Sequence, residues 1–376
     1  MRTQLFSKVK KLVVKVGTSI LTEDGNQLSV SAINNIAEQI SYALKDNKKV
    51  VLVTSGAIGA GMGLLGIESR PRSLPDQQAV AAIGQSRLMR LYDESFKKRG
   101  LLTAQILLTR EDLRDRVRYL NARNTLMTLL GHGVVPIVNE NDTVAVDEIK
   151  FGDNDTLSSL VANLIGADLL IILSDIDGLY TKNPAQGEKA NLVSLVKKIT
   201  PEIEKMADGT AMRGAANVSV GGMATKIEAA KIATHAGISL VIANGREKDI
   251  ILRIVKGEDI GTLFLSSPDK LVAKKHWIAY TSKSRGKIIV DTGAMDALIH
   301  RGRSLLSSGI MDLEGSFEQG DMVTIEESGT EFARGLINYS SSELKRIKGA
   351  KTRQIEGILG YKYYDEVIHR DNLVIL

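Results

Sequence analysis

The sequence predicts an α/β fold built on a mostly parallel sheet, followed by a smaller, mostly β module. Three observations predict it. From residue 11 to about 265, short β-branched runs alternate with longer stretches of helical pattern, the signature of strand–helix–strand units with helices on both sheet faces. The runs are near-continuously apolar, as strands covered on both faces must be. Near 266–285, at SSPDKLVAKKHWIAYTSKSRG, the texture changes to short runs with glycine turns.

The elements follow in order. KLVVKV (11–16) reads as the first strand, and 30–45 as the helix that returns from it. KVVLVTS (49–55) is the second strand, followed by a helical pattern over 76–99. LLTAQILL, a helix over 118–131, and VVPIVN continue the alternation. A helix over 155–165, the strand DLLIILS, a helix over 224–236 and the strand ISLVIA complete it. Beyond the change of texture, KIIVDTGAMDALIHRGRSLL, GDMVTIEES and EFARGLINYS read as strand-like runs. A chain of 376 residues exceeds one compact core. The expected division is 1–266, a linker at 267–283, and 284–376. No low-complexity segment or internal repeat stands out.

Composition narrows the chemistry. With 43% apolar and 25% charged residues the chain is of ordinary globular make-up. The net charge of +5 is too mild to argue for nucleic acid. There is no cysteine, which excludes disulfides, thiolate metal sites and a cysteine nucleophile. The N-terminus shows no signal-peptide pattern, and no apolar run approaches a membrane span, so the cytoplasm is the expected location and no membrane partner is expected.

Four stretches carry candidate chemistry. In VVKVGTSIL, Val13, Lys15 and Gly17 share one strand face. Lys15 either snorkels to solvent or meets an anion at the strand tip, where the Gly17 N–H would donate to a phosphate oxygen. TSGAIGAGMG (54–63) reads as a glycine-rich loop from strand to helix, with Ser55 at its mouth; it serves an anion or is a plain tight turn. Between 136 and 184, Asn139, Asp142, Asp153, Asn154 and Asp155 crowd two loops at element ends. One of them as a helix N-cap is ordinary, but five are not. They suit a substrate ammonium or a lysine to be oriented. With no histidine nearby, Mg2+ held mainly by nucleotide phosphates fits better than zinc. In VSVGGMATKIEAAKIATHAG, two glycines precede a helix bearing Lys226, which is a phosphate site or a turn followed by an exposed lysine. Two lysines, glycine-rich loops and an acidic-amide cluster at strand ends suit phosphoryl transfer.

Taken in order, VVKVGTSIL, VTSGAIGAGMGLLG, AAIGQSRLM, RYLNARNTL, PIVNENDTVAVDEIKFGDNDTLSSLVA, SDIDGLYTKNP and GGMATKIEAAKIA closely resemble the glutamate 5-kinase family of the amino acid kinase superfamily. The resemblance runs nearly end to end, and the last part resembles a PUA domain. It implies a three-layer αβα sandwich with a PUA pseudo-barrel. It also implies transfer of phosphate from ATP, with Mg2+, to the side-chain carboxylate of L-glutamate, the first step of proline biosynthesis. By resemblance, Lys15 and Lys226 neutralise the transferring phosphoryl group and Asp155 orients them. Gly17, Gly56 and Gly222 are expected to give N–H bonds to phosphate. Ser55, Gly56, Asn139, Asp142, Asp153 and Asn154 fall in the glutamate region, with Asp142 on the substrate ammonium. Ser174, Asp175 and the run Val220, Gly221, Gly222, Met223, Ala224, Thr225 and Lys226 fall in the nucleotide region, and no protein metal ligands are assigned. Feedback inhibition by proline, a functional partnership with γ-glutamyl phosphate reductase, and a homo-oligomer (dimer or tetramer) are the family's further implications.

Two alternatives are weighed. Another carboxylate or carbamate kinase of the superfamily would share the phosphate site, but such kinases do not usually carry a PUA module. RNA binding through the last module is not expected, because residues 281–376 hold 13 Lys and Arg against 14 Asp and Glu. The sequence departs from the family at SVGGM, where Val220 replaces the usual threonine. If that lost hydroxyl weakens nucleotide binding, Val220→Thr lowers the KM for ATP in steady-state kinetics; an unchanged KM removes any role for this position.

Overall fold

A computed structural model describes residues 1–23, 27–145, 154–182, 190–209, 222–266 and 284–376. The chain divides into two compact units, Met1–Arg114 with Asn121–Lys270, and Leu271–Leu376 with Asp115–Leu120. The expected linker, 267–283, lies outside the described residues.

The first unit runs α1 (Arg2–Phe6), β1 (Lys11–Val16), α2 (Thr18–Leu21), α3 (Val30–Lys45), β2 (Lys49–Val53), α4 (Ala57–Leu65) and α5 (Leu74–Lys97). It continues β3 (Thr103–Leu108), α6 (Arg110–Arg114), α7 (Arg116–Gly131, of which residues 121–131 belong to this unit), β4 (Val135–Glu140), α8 (Asn154–Ile165) and β5 (Leu169–Ser174). It ends β6 (Leu195–Val196), α9 (Pro201–Gly209), α10 (Met223–His235), β7 (Ser239–Asn244), α11 (Ile250–Val255) and β8 (Thr262–Phe264). The strands form one sheet in the order β3-β4-β2-β1-β5-β7-β8-β6. All pairings are parallel except β7 with β8. In this unit the predicted strands and helices all form.

Burial explains the alternation of faces. Leu12, Val14 and Val16 of β1 pack with Ile33, Ile36 and Ile40 of α3 and with Leu88 and Phe96 of α5. The other face of β1, which carries Val13 and Lys15, is covered by α8. Helix α3 starts at Ser29, whose hydroxyl accepts from Ala32 N, and α5 starts at Ser73, which accepts from Asp76 N.

The expected glycine-rich loop at 54–63 is instead mostly helix, since α4 begins at Ala57. Gly56 alone takes a left-handed φ, +99°, at the N-cap. Gly61, inside α4, serves close packing against α5. A methyl group at Gly84 would fall 1.8 Å from Ala57 O, and one at Gly61 would fall 1.9 Å from Val80 O. Helices α4 and α5 therefore touch backbone to backbone.

The second unit holds β9 (Gly286–Val290), α12 (Thr292–Ile299), β10 (Ile310–Gly315), β11 (Met322–Glu327), β12 (Thr330–Leu336), α13 (Ser341–Ile347), α14 (Ile355–Leu359) and β13 (Leu373–Ile375). Its sheet order is β10-β9-β11-β12-β13, with β9 and β11 parallel and the rest antiparallel. Ile288, Phe317, Val323, Ile325 and Tyr339 centre its core. The run read as strand-like at 287–306 is a strand followed by a helix, α12, because the Asp291 side chain accepts from Ala294 N and starts a turn. Among the described residues no helix is long and apolar enough to cross a membrane.

Gly84→Ala is expected to lower the melting temperature by calorimetry, an overpacking cost of about 1–3 kcal/mol. Gly131→Ala, where an added methyl meets nothing within 4 Å, is expected to leave it unchanged.

Candidate active site

The central strand, β1, lies between β2 and β5, so the chain leaves it first to one side and later to the other. Ligands of such sheets bind beyond the carboxyl ends of the strands where this reversal occurs. Lys15, Ser55, Asn139 and Ser174 all stand at those ends, on or just after β1, β2, β4 and β5.

The electrostatic centre is Asp155, in the first turn of α8 and 2% exposed. Its Oδ1 lies 2.6 Å from Lys15 Nζ, and its Oδ2 lies 3.3 Å from Lys226 Nζ. The Thr225 hydroxyl donates to Oδ2 at 2.8 Å. Both lysines are buried, at 6% and 4% exposure. Neither snorkels, so the bland readings of Lys15 and Lys226 fail. Burial pushes the Asp155 carboxyl up, but the two ammoniums and the Thr225 hydroxyl outweigh it and hold the group well below the usual carboxylate range.

Gly17 has a different role from the one expected. Its N–H donates to Leu173 O at 3.0 Å, inside the sheet, so it is not the phosphate donor. A side chain there would stand 3.7 Å from Lys15 Nζ, so glycine keeps space open beside the ammonium. Gly222 is exposed at the N-cap of α10, where an added methyl would meet nothing within 4 Å. Met223 is buried and Ala224 exposed.

Beside the ion pair runs a row of carboxamides. Asn154 Nδ2 donates to Thr54 O, Ser55 Oγ and Asn139 Oδ1, each at 3.0 Å. Asn139 Nδ2 donates to Gln85 Oε1 at 2.8 Å. The Thr54 and Tyr92 hydroxyls lie 3.0 Å apart in the core, and burial pushes the Tyr92 phenol above its usual range. Asn154 Oδ1 and Gln85 Nε2 are buried with no hydrogen-bond partner among the described residues. Each such group costs on the order of 1–3 kcal/mol.

Asp142 is half-buried in the turn after β4. Burial pushes its carboxyl up to about 6, while the nearby Arg70 guanidinium pulls it down. At the end of β5, the buried Ser174 hydroxyl donates to exposed Asp175 at 3.1 Å. Asp153, Val220 and Gly221 lie outside the described residues.

Gln85, Arg70 and the Thr54–Tyr92 pair are additions of the structure. The signal for Gln85 was present, since it is a polar residue on α5 beside buried Ala81, Gly84 and Leu88. Nothing in the sequence marks Arg70 as a neighbour of Asp142.

Comparison with known proteins gives the family. Residues 10–244 match the amino acid kinase family model, and 286–359 match the PUA domain model. The glutamate 5-kinase of Caldanaerobacter subterraneus subsp. tengcongensis is 51% identical over 367 residues, covering 97% of this chain and 98% of that protein. The glutamate 5-kinases of Pelobacter propionicus and Geobacter sulfurreducens are each 51% identical over 377 aligned residues, covering 100% of both chains. Identity at this level, sustained from one end to the other and across both domain models, makes this chain a member of the glutamate 5-kinase family.

Proposed function

We propose that this chain transfers the γ-phosphoryl group of ATP to the side-chain carboxylate of L-glutamate, giving L-glutamyl 5-phosphate and ADP as the first step of proline biosynthesis. The observation that carries the reading is one buried carboxylate, Asp155, fixing two ammoniums at the carboxyl end of the central strand. A carboxylate oxygen attacks the γ-phosphorus as the bond to the ADP oxygen breaks. No general base is required, because the glutamate side chain is already ionised at neutral pH. The protein's task is to bring two anions together and balance the charge that develops between them.

Lys15 and Lys226 neutralise that charge, and Asp155 with Thr225 keeps both ammoniums in place. Ser174, Asp175 and the segment 220–226 take the nucleotide. Ser55, Gly56, Asn139, Asp153 and Asn154 surround the glutamate, and Asp142 pairs with its ammonium. Among the described residues no three His, Asp or Glu side chains converge to hold a metal. Mg2+ would arrive on the ATP phosphates and neutralise part of their charge. Proline, an amino acid without the reacting carboxylate, would compete near Asp142. The acyl phosphate product is labile, which suits prompt use by a γ-glutamyl phosphate reductase. A dimer or tetramer and a kinase–PUA boundary within 267–283 complete the proposal.

The test is ATP turnover with hydroxylamine present, which traps an acyl phosphate as a hydroxamate. L-Glutamate should give ADP and hydroxamate, while L-aspartate, N-acetyl-L-glutamate and carbamate should not; turnover of one of those instead would overturn the substrate. Lys15→Ala and Lys226→Ala should each lower kcat by about 10²–10³-fold.

The pH profile follows from Asp142. Its carboxyl, raised to about 6, is ionised above that value and protonated below it. The partner for the substrate ammonium is therefore present at higher pH and lost as pH falls through about 6. kcat/KM for glutamate should fall over that range. Asp142→Asn should lower kcat/KM at about pH 8 and remove this limb of the profile; a limb that persists unchanged rules Asp142 out.

A further inference from the structure

The row of carboxamides has a direction. Asn154 Nδ2 faces three acceptors, Thr54 O, Ser55 Oγ and Asn139 Oδ1. One of these, Thr54 O, is a backbone carbonyl that only accepts, so the Asn154 amide has one allowed orientation. That makes Asn139 Oδ1 the acceptor and Asn139 Nδ2 the donor to Gln85 Oε1. Gln85 is thereby oriented as well, with Oε1 toward Asn139 and Nε2 left over. The row ends in one buried donor group, Gln85 Nε2, and one buried acceptor, Asn154 Oδ1, neither with a hydrogen-bond partner among the described residues.

A ligand that satisfies both ends must bring an acceptor to Gln85 and a donor to Asn154. The carboxylate and ammonium of an α-amino acid head do so together. The placement also agrees with the chemistry. The reacting end of the substrate belongs at Lys15 and Lys226, which are joined through Asp155, the chain neighbour of Asn154. From Asn154 the row leads through Asn139 to Gln85 on α5, a separate set of contacts from the ion pair.

We propose that Gln85 is a specificity-determining residue, whose Nε2–H groups donate to the α-carboxylate of the amino acid substrate while Asn154 Oδ1 accepts from its ammonium. This rests on the reading of the site as a glutamate kinase. It adds the group that distinguishes an amino acid from a simple amine bearing the same reacting carboxylate.

The test compares L-glutamate with 4-aminobutyrate, which keeps the reacting carboxylate and the amine but lacks the α-carboxylate, as substrate or as competitive inhibitor. The proteins are the wild type, Gln85→Met and Gln85→Glu. Gln85→Met should raise the KM for glutamate by about 10–100-fold, the loss of one hydrogen bond to a charged group. kcat should stay within about twofold, and the constant for 4-aminobutyrate should not move. Gln85→Glu keeps the acceptor that faces Asn139 but sets a carboxylate against the substrate's own. It should discriminate against glutamate more strongly than Gln85→Met while sparing 4-aminobutyrate. Calorimetric titration of glutamate should show the same order of loss. An unchanged KM for glutamate, or an equal loss for both ligands, would overturn the proposal, since a merely structural role affects both alike. Wild-type protein that forms no hydroxamate from glutamate overturns the functional reading itself, and that result is seen before any variant is made.

Discussion

One buried carboxylate organises the catalytic unit. Asp155 is almost wholly removed from water, and an ionised group there persists only if it is paired and hydrogen-bonded. Its partners come from two other elements: Lys15 from the central strand, and Thr225 and Lys226 from the first turn of α10. Each partner is tolerable in the interior only because the others are present. The constraint thus fixes the end of β1, the first turn of α8 and the first turn of α10 relative to one another. Those are the places a phosphoryl group would have to meet.

A neutral network completes the other half of the site. Gln85, Asn139, Asn154, Ser55 and Thr54 pass hydrogen bonds from α5 across the ends of β4 and β2 to α8. Asn154 and Asp155 are consecutive, so a single helix start serves both the charged and the uncharged parts. Such networks are strong when every member is satisfied and costly when one is not. The close backbone contact of α4 with α5, through Gly61 and Gly84, lies next to this network, because Gln85 is the residue after Gly84 on α5.

Much of this was legible in the residues. The continuous apolar runs placed the parallel strands, because covered strands have no polar face to alternate with. The charged site was legible because lysines at 15 and 226 and an acid at 155 sit where apolar patterns end. What was not legible has physical causes. Glycines at 59, 61 and 63 suggest a loop by propensity, yet the segment is helical, and at Gly61 the close approach of α5 leaves no room for a side chain. Gly17 looks like a backbone donor, yet the sheet uses its N–H first. The directional amide row depends on contacts between residues far apart in the chain, and in the local pattern only a polar Gln85 beside buried positions of α5 hints at it. In the second unit, Asp291 turned a strand-like stretch into a helix because one cap outweighs several apolar residues of ambiguous period.

The central position of β1 has a consequence for how the protein is made. Its first strand neighbour, β2, follows closely, but the other, β5, and the carboxylate that receives Lys15 come much later in synthesis. Thr54 waits 100 residues for Asn154, and Asp155 a further 71 for Lys226. Until then the emerging chain carries an apolar strand with one side unpaired and a lysine that the interior cannot accept. Contacts so distant make folding slow and leave strand edges open to wrong partners. The charged cluster is thus completed late: Lys15 gains its carboxylate only when α8 has been made, and Lys226 joins it 71 residues after Asp155.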